Sequence, residues 1–503
     1  MPDKTALNGS PTPVEIAAGG YTLQAPGMLG EVEEVAAADH ATRSGTGYHE
    51  EALLESLRNA EMHIGKIFEI AIEADQRPVI GDGATRADGL TATTREGEPA
   101  VVFRMPPLGD MVDYAVLYSD EAGVTRWLFP VTGQKDDADV MFHLPRNSPK
   151  PVVEPEGPAT GEETRGPISK LGRRLVRIVA WATDPIIGKT AKAVARAWES
   201  TNRPYDFHAV QPGLIGGDVS WDSMRQGRSL LLLHGTLSTG EAAFSGLVRS
   251  PKFEALAACY EQRIFAFNHP SLHHTPAENT EWLLSNLPPG LDLDVVTHSR
   301  GGLVARSVMQ AVTERQAGVE GIRIGKCIMV AAPNRGTVLA RGETWFDLID
   351  RYTNLLTSLP DNVYTLVLEG VLALVKLVAR GSVKGLPGLN SMLPDGPFLA
   401  ELNQQPAPSA QLYAIAADFV PGDPGLLKRF GKTVADTFVD RVFGEANDGV
   451  VPTEGMIATG LNAAGFPIPN ERCHLIALDV HHLNYFKNED VNGQIYDWLN
   501  TKY

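Results

Sequence analysis

Ser299 lies where the sequence changes from one pattern to another. The run Asp292–Val296 has the length and composition of a buried strand, and the helical pattern that follows begins with Gly301 and Gly302. A strand that turns sharply into a helix holds such a serine in a strained conformation and points its hydroxyl out of the sheet. The helix N-terminus directs backbone N–H groups toward developing negative charge. The segment therefore predicts a nucleophile, although Ser-x-Gly-Gly turns also occur as ordinary helix caps.

Two later segments supply the groups that a nucleophilic serine needs. Asp448 lies in an Asn-Asp-Gly turn, and the tandem histidines His481 and His482 follow the last predicted strand. An imidazole that removes the serine proton, oriented by a carboxylate, is the usual way to activate a hydroxyl. An ordinary surface turn is the alternative interpretation of the aspartate. The competing acids are Asp418, Asp423 and Asp440.

Together these segments resemble the α/β-hydrolase superfamily, particularly its lipase-like serine esterases. The elbow Thr297-His298-Ser299-Arg300-Gly301 resembles the Gly-x-Ser-x-Gly motif, with threonine at the first glycine position. The segment 448–452 resembles the Asp-Gly-x-Val-Pro acid loop. The order serine, aspartate, histidine is that of the superfamily. The resemblance implies that Ser299 is the nucleophile, Asp448 the acid and His482, in preference to His481, the base.

The same resemblance extends to a turn that follows an early strand. Leu230–Leu233 runs into His234-Gly235-Thr236-Leu237, similar to the His-Gly turn that helps to form the oxyanion hole in lipases. It implies that the backbone N–H of Thr236 or Leu237 acts together with that of Arg300. The imidazole of His234 is expected to be structural.

The function implied is hydrolysis of carboxylic esters, from small molecules or lipids, through an acyl-enzyme and without a metal or organic cofactor. An acyltransferase or thioesterase shares the first half-reaction. An inactive scaffold with the same fold is a further alternative. The oligomeric state is not predicted.

Composition narrows the class of protein. The chain has 503 residues, 43% hydrophobic and 21% charged, which is typical of a folded protein of more than one domain. Its net charge of -17 disfavours nucleic-acid binding. Three separated cysteines predict neither disulfides nor a zinc site. The first residues lack the pattern of a secretory signal, so we expect a cytoplasmic protein.

The chain is predicted to contain five regions. They are a loosely ordered leader (1–45), a β-containing accessory domain (46–145) that begins with helical spacing, a proline-rich linker (146–167), an amphipathic helical connector (168–204) and an α/β-hydrolase domain (205–503). Buried parallel strands are predicted in the last region at Ser229–Leu233, Arg263–Phe267, Asp292–Val296, Lys326–Ala331, Gln411–Ala416 and His474–Leu478.

Two segments carry open alternatives. Residues 343–403 lie where lipases have a lid, and the apolar helix predicted at Val363–Ala379 is too short to cross a bilayer. We expect a cap over an acyl pocket, with a buried helical hairpin as the alternative. The basic stretch at the start of the connector, including Arg174 and Arg177, predicts a solvated helix face or, alternatively, a site for peripheral contact with an anionic membrane.

Overall fold

The computed structural model describes most of the chain. The described residues are 4–36, 47–75, 101–120, 124–131, 139–146, 172–183, 190–316, 318–357, 364–379, 385–420, 443–457, 468–477 and 479–501. They divide into two compact units, one built mainly from residues 1–185 and the other from 186–377, 381–423 and 436–503. The predicted linker 146–167 lies outside the described residues apart from Arg146, and the boundary between the units falls at 185/186 rather than there.

Eighteen strands are present in the described residues. They are β1 Lys4–Asn8, β2 Val14–Ala17, β3 Tyr21–Gln24, β4 Met28–Val35, β5 His63–Asp75, β6 Val101–Met105, β7 Val112–Ser119, β8 Thr125–Leu128, β9 Val140–Leu144, β10 Arg173–Ala182, β11 Asp206–Gln211, β12 Leu214–Ile215, β13 Arg228–Leu233, β14 Ile264–Asn268, β15 Asp292–His298, β16 Arg323–Val330, β17 Gln411–Asp418 and β18 Cys473–Ala477.

The helices of the described residues alternate with strands in the second unit. The α-helices are Gly47–Asn59, Ala191–Asn202, Trp221–Met224, Gly240–Val248, Pro251–Cys259, Pro276–Asn286, Gly301–Glu314, Trp345–Thr357, Tyr364–Ala379, Pro387–Asn390, Pro397–Asn403, Thr453–Ile457 and Glu489–Asn500. Short 3-10 turns occur at Val338–Ala340, Gly342–Thr344, Asn470–Arg472 and Tyr485–Lys487. Among these described helices, none combines the length and the hydropathy that a membrane crossing requires.

The second unit is organised around an eight-stranded sheet. Its order is β12-β11-β14-β13-β15-β16-β17-β18, and the six strands from β14 to β18 in this order pair in parallel. Only the pairings of β11 with β12 and with β14 are antiparallel. Parallel strands joined by helices require both faces of the sheet to be covered.

Side chains on both faces of this sheet are buried. Leu231 and Leu233 join a core cluster that includes Val304 and Val308 of the helix Gly301–Glu314. Leu230 and Leu232, which alternate with them and point to the opposite face, are fully buried as well. Such strands read as short, continuous apolar runs, and each of the six predicted strands coincides with an observed strand within a few residues. The α/β class is therefore confirmed, and the strand order is consistent with a hydrolase fold.

The first unit consists of antiparallel sheets. One has six strands in the order β1-β4-β5-β10-β7-β8, and the other has four in the order β2-β3-β6-β9. Side chains from both sheets, such as Val32 and Phe68 from the first and Leu23 and Phe103 from the second, share one hydrophobic core. The unit is therefore a β-structure with its own core, which is what allows a domain to fold by itself.

The prediction of a loosely ordered leader at 1–45 is wrong for the residues that the structure describes there. Residues 4–35 form β1 to β4, and Leu7, Ile16 and Met28 are buried in the core of the first unit. Glycines at the turns hid this pattern, because each strand between them has only four to eight residues. Gly30, inside β4, has a φ of 157° and lies so close to β5 that an added Cβ would be 2.1 Å from the Ala71 oxygen.

Two stretches predicted as helical are strands instead. The helical spacing at the start of the accessory domain, which extends over Glu50–Glu73, corresponds to a helix only at Gly47–Asn59, and β5 follows it. The predicted connector at 168–204 contributes β10, a central strand between β5 and β7, and a helix only from Ala191. Alternating β-branched residues suit a pleated surface, and pairing on both sides decides the outcome over local helical spacing.

Two of the three arginines of β10 are buried, whereas Arg173, at the start of the strand, is exposed. Arg174 and Arg177 are each 6% exposed, and their guanidinium groups donate to the Pro145 and Arg146 carbonyl oxygens and to the Ser119 hydroxyl, respectively. The prediction of a solvated cationic helix face is therefore wrong for Arg174 and Arg177, which lie buried in a strand. Peripheral contact of this stretch with a membrane stays a prediction.

Candidate active site

Ser299 lies at the turn between β15 and the helix Gly301–Glu314. Its φ of 52° is in the left-handed region that non-glycine residues seldom adopt. The Ser299 N–H donates to the Val330 oxygen of β16 at 2.9 Å, which fastens the turn to the neighbouring strand. The side chain is buried, with 3% of its surface exposed. The geometry is that of the sharp strand-to-helix turn predicted from the sequence.

Glycines let the backbone pack closely around this serine. A Cβ on Gly301 would lie 2.2 Å from the Leu233 oxygen, and one on Gly302 would lie 2.5 Å from the Ala332 Cβ. A Cβ on Gly235 would be 2.7 Å from that of Ser299. Real Cβ atoms do not approach so closely, so the close packing of β13, the turn and the helix depends on the absence of these side chains.

A continuous chain of hydrogen bonds joins the three residues that the sequence singled out. The Ser299 hydroxyl lies 2.9 Å from His482 Nε2, and His482 Nδ1 lies 2.7 Å from Asp448 Oδ2. The imidazole and the carboxylate are fully buried. Because an ionised carboxylate only accepts, Nδ1 carries the ring proton and Nε2 is free to accept the proton of the serine. The arrangement is suited to activating Ser299 as a nucleophile.

Asp448 is held in place by four donors. Its Oδ1 accepts the backbone N–H groups of Val450 and Val451, and its Oδ2 accepts the Tyr485 hydroxyl at 3.1 Å in addition to His482. Burial alone raises the pKa of Asp448, but His482 and the two backbone N–H groups outweigh this effect and lower it below its usual value. The carboxylate is therefore ionised at neutral pH.

The alternatives to these residues are placed elsewhere. The ring of His481 accepts the Leu483 N–H at 3.2 Å and packs against Phe419, and burial lowers its pKa to about 3. Asp418 ends β17 and, among the described residues, has no hydrogen bond to either histidine. Asp423 and Asp440 lie outside the described residues. His482 and Asp448 are thus the pair that the fold brings to Ser299.

The structure distinguishes between the backbone donors expected for an oxyanion hole. The Leu237 N–H donates to the Ser271 hydroxyl at 3.0 Å and so is already engaged, contrary to its expected role. Within the described part of the chain, the N–H groups of Thr236 and Arg300 have no protein acceptor. Thr236 lines the same cavity as Ser299. Thr236 and Arg300 are therefore the donors that remain for a developing oxyanion.

Two further histidines stabilise this region through the main chain. His234 Nδ1 donates to the Gly235 oxygen while Nε2 accepts the His269 N–H, as expected of a structural residue, and burial lowers its pKa to about 4. His298 Nε2 donates to the His482 oxygen at 2.8 Å, and burial lowers the pKa of His298 to about 3. Both rings are neutral at physiological pH.

Two cavities lie in the region of Ser299, and one of them is lined by this residue. One is bounded by Ser299 and by mostly apolar side chains, namely Ala340, Leu348, Met392, Val450 and Val451. A second, whose lining does not include Ser299, is bounded by the rings of His298 and Tyr485 and by Lys487. Thr236 and Tyr352 border both. Leu348, Tyr352 and Met392 belong to the predicted cap region 343–403, so that region contributes walls next to the serine.

Several residues at the site were not predicted from the sequence. Tyr485 and His298 contact the histidine–aspartate pair but are only neighbours of the motif residues in the sequence, where nothing distinguishes them. Arg351, on the helix Trp345–Thr357, donates to the Gly449 oxygen at 2.9 Å next to Asp448. Among the described residues, there is no cluster of three or more ligands suited to a metal ion.

Solved structures similar to this chain include hydrolases. Lipase 1 from Pelosinus fermentans is 13% identical over 54% of this chain and 97% of its own, with a TM-score of 0.35. Lipase B from Aspergillus fumigatus is 12% identical over 57% and 55%, with a TM-score of 0.32. Phospholipase PlaB from Legionella pneumophila is 13% identical over 46% and 45%, with a TM-score of 0.29.

At the level of sequence, no curated protein matches this chain. A family model described as "Domain of unknown function (DUF7379)" matches residues 199–500. This match covers more than half of the chain and includes all eight strands of the sheet in the second unit. The chain therefore belongs to the DUF7379 family.

Proposed function

We propose that this protein is a serine hydrolase that cleaves carboxylic esters through an acyl-enzyme. The observation that carries the proposal is the hydrogen-bonded chain from Ser299 through His482 to Asp448, at 2.9 and 2.7 Å. Its supporting feature is the pair of N–H groups, of Thr236 and Arg300, that have no acceptor in the described residues next to the serine. The roles follow from this geometry.

In the first half-reaction, Ser299 Oγ attacks the ester carbonyl carbon as its proton passes to His482 Nε2. The carbonyl oxygen becomes an oxyanion that accepts hydrogen bonds from the backbone of Thr236 and Arg300. Asp448 stabilises the imidazolium. The imidazolium then gives its proton to the leaving alkoxide oxygen, the C–O bond breaks, and the alcohol departs from an acyl-serine.

The second half-reaction repeats these steps with water. His482 removes a proton from the water as its oxygen attacks the acyl carbon, and the proton is then returned to Ser299 Oγ as the acid is released. A thiol or an alcohol in place of water would make the same site an acyltransferase. Each of these steps is a proton transfer or an addition–elimination at the acyl carbon, and the groups of this chain that take part are Ser299, His482, Asp448 and the two backbone N–H groups.

The cavity at Ser299 supports an apolar acyl group as its occupant, because its walls are largely aliphatic. We propose that the helices Trp345–Thr357 and Tyr364–Ala379 form a cap that has to move before substrate reaches the buried hydroxyl. The first unit then serves an accessory role, since the proposed chemistry needs only residues of the second unit.

A fluorophosphonate probe tests the nucleophile. We expect labelling of the wild type and loss of the adduct in Ser299→Ala. The tandem histidines provide a matched pair: His482→Gln should lose labelling, whereas His481→Gln should keep it, because the ring of His481 contacts Leu483 and Phe419 instead of Ser299. A wild type that stays unlabelled while folded would refute the proposal.

The substrate class is tested with p-nitrophenyl esters of increasing acyl length, each assayed with and without lipid vesicles. We expect hydrolysis, with a preference for aliphatic acyl groups because the walls of the cavity at Ser299 are largely aliphatic, and the series determines the preferred length. Vesicles raise the rate if an interface displaces the cap. Inertness toward all esters together with labelling of Ser299 would point to an acyltransferase instead.

A further inference from the structure

Glu199 is a fully buried carboxylate far from the motifs of the sequence. It lies near the end of the helix Ala191–Asn202, and its side chain is 0% exposed. A buried carboxylate is costly unless several donors satisfy it. Glu199 has such donors, and all of them come from a single loop, residues 271–273, that follows β14.

The contacts of Glu199 fix both ends of this loop. Oε1 accepts the N–H groups of Ser271 at 2.6 Å and Leu272 at 2.8 Å, and Oε2 accepts the N–H of His273 at 2.9 Å and its Nδ1 at 2.6 Å. Burial alone raises the pKa of Glu199, but these hydrogen bonds outweigh it and lower the pKa below the usual value. The loop is therefore bound to an ionised carboxylate at neutral pH.

The loop in turn holds the turn that carries Thr236. The Ser271 hydroxyl accepts the Leu237 N–H at 3.0 Å and lies 3.4 Å from Glu199 Oε1, toward which it donates. Leu237 has a φ of 60°, which is unusual for a residue with a side chain. A turn in such a conformation needs restraint from its surroundings. The hydroxyl of Ser271 provides it next to the N–H of Thr236.

We propose that Glu199 and Ser271 are positioning residues of the oxyanion hole, acting through a relay from the Leu237 N–H to the Ser271 hydroxyl and on to the Glu199 carboxylate. The relay engages Leu237 and so leaves the N–H of Thr236 directed at the substrate oxygen. The inference rests on the proposed function. As a consequence, substitutions of Glu199 or Ser271 should change kcat more than KM, although neither side chain touches the substrate or the triad.

The first test is Ser271→Ala, which removes the hydroxyl and keeps the backbone N–H that binds Glu199. We expect kcat to fall by about 10- to 100-fold, less than the loss of a whole oxyanion donor, with KM changed by less than about threefold. An arylboronic acid, whose tetrahedral adduct places an anionic oxygen in the same hole, should lose affinity by a similar factor. Should Ser271→Ala fail to fold, Ser271→Cys replaces it, with an expected loss in kcat of about 3- to 10-fold.

Two variants separate positioning from stability. Glu199→Gln keeps an oxygen for the N–H groups of Ser271 and Leu272 but turns an NH2 group toward His273, so the loop is held at one end only. We expect kcat to fall by about 3- to 10-fold with KM changed by less than about threefold, and a folded Glu199→Gln variant equal to the wild type in kcat would remove Glu199 from the relay. Glu278→Gln is the matched control, because Glu278 caps the next helix through Thr275 without touching Ser271. It should leave kcat unchanged.

The outcomes are distinct from those that decide the proposed function. A wild type that hydrolyses esters, with Ser271→Ala or Ser271→Cys folded and equal to it in kcat and boronate affinity, overturns the relay and leaves the function standing. A wild type inert toward esters overturns the function, and boronate binding then decides the relay: weaker binding by Ser271→Ala supports it, and absence of binding by the wild type overturns it.

Discussion

Replacing Asp448 by asparagine tests the proposed mechanism at Asp448 Oδ2, the atom that fixes the position of the proton on His482. The asparagine oxygen can still accept the N–H groups of Val450 and Val451, so the loop keeps its shape. Its NH2 group then faces His482 Nδ1 and the Tyr485 hydroxyl, where the carboxylate Oδ2 stood. Since NH2 donates, Nδ1 must accept, and the ring proton moves to Nε2, opposite Ser299.

The size of the effect follows from this change of tautomer. A neutral imidazole that carries its proton on Nε2 cannot take the proton of the serine, and the imidazolium loses the negative charge now 2.7 Å away in a fully buried site. Loss of this pairing in a serine hydrolase costs about 10⁴ in kcat. That factor corresponds to about 5.4 kcal/mol of transition-state stabilisation. We therefore expect the kcat of Asp448→Asn to be about 10⁴-fold lower than that of the wild type.

The assay is steady-state hydrolysis of a p-nitrophenyl ester, with the melting temperature measured in parallel. Tyr485→Phe is the matched control, because it removes one donor to the same oxygen and leaves the tautomer of His482 unchanged. A hydrogen bond to a charged group contributes about 1.5–3 kcal/mol, shared between stability and orientation, so kcat should fall by about tenfold at most. A folded Asp448→Asn variant within tenfold of the wild type would refute the reasoning.

Three other expectations concern stability and specificity. Gly301→Ala should cost about 3 kcal/mol or more in urea unfolding, because its Cβ would lie 2.2 Å from a backbone oxygen. Gly493→Ala, in a helix with open space around it, should instead stabilise the protein by about 0.5–1 kcal/mol. Burial lowers the pKa of His234 from 6.5 to about 4 and that of His298 to about 3, so the unfolded state binds more protons below pH 6.5. These two histidines should therefore lower the free energy of unfolding as the pH drops from 6.5 toward 4, together by up to about 3 kcal/mol per pH unit, and His481, whose pKa burial also lowers to about 3, adds to the fall. A flat profile would contradict this expectation. Met392→Ala enlarges the cavity at the serine and should move the best acyl length upward, with an unchanged optimum in the ester series counting against this cavity as the acyl site.

The features that could be predicted are those that nearby residues in the sequence determine, namely the parallel strands and the turn at Ser299. Buried parallel strands have apolar side chains on both faces, so β13, β15 and β17 stand out as continuous runs. The turn at Ser299 needs glycines at fixed positions, and the sequence has them. Ser299, Asp448 and His482 come after β15, β17 and β18, respectively, and the carboxyl ends of these parallel strands lie at the same edge of the sheet.

The remainder depends on contacts that are distant in sequence. β10 has local helical spacing, yet pairing with β5 and β7 makes it a central strand. The strands β1 to β3 have only four or five residues each, which is too short for an alternation of apolar and polar residues to be recognised between the glycine turns. Glu199 lies 72 residues from Ser271, and no local feature marks it as a partner of that loop.

The 3% exposure of Ser299 has a consequence for how any kinetic constant of this protein is to be interpreted. Under the proposed motion of the cap, every ligand waits for the same opening, so the apparent affinity of each is reduced by the fraction of molecules in which the hydroxyl is accessible. That factor cancels in the ratio between two ligands. Selectivity ratios therefore measure the walls of the cavity, whereas absolute rates and affinities also measure how often the protein opens.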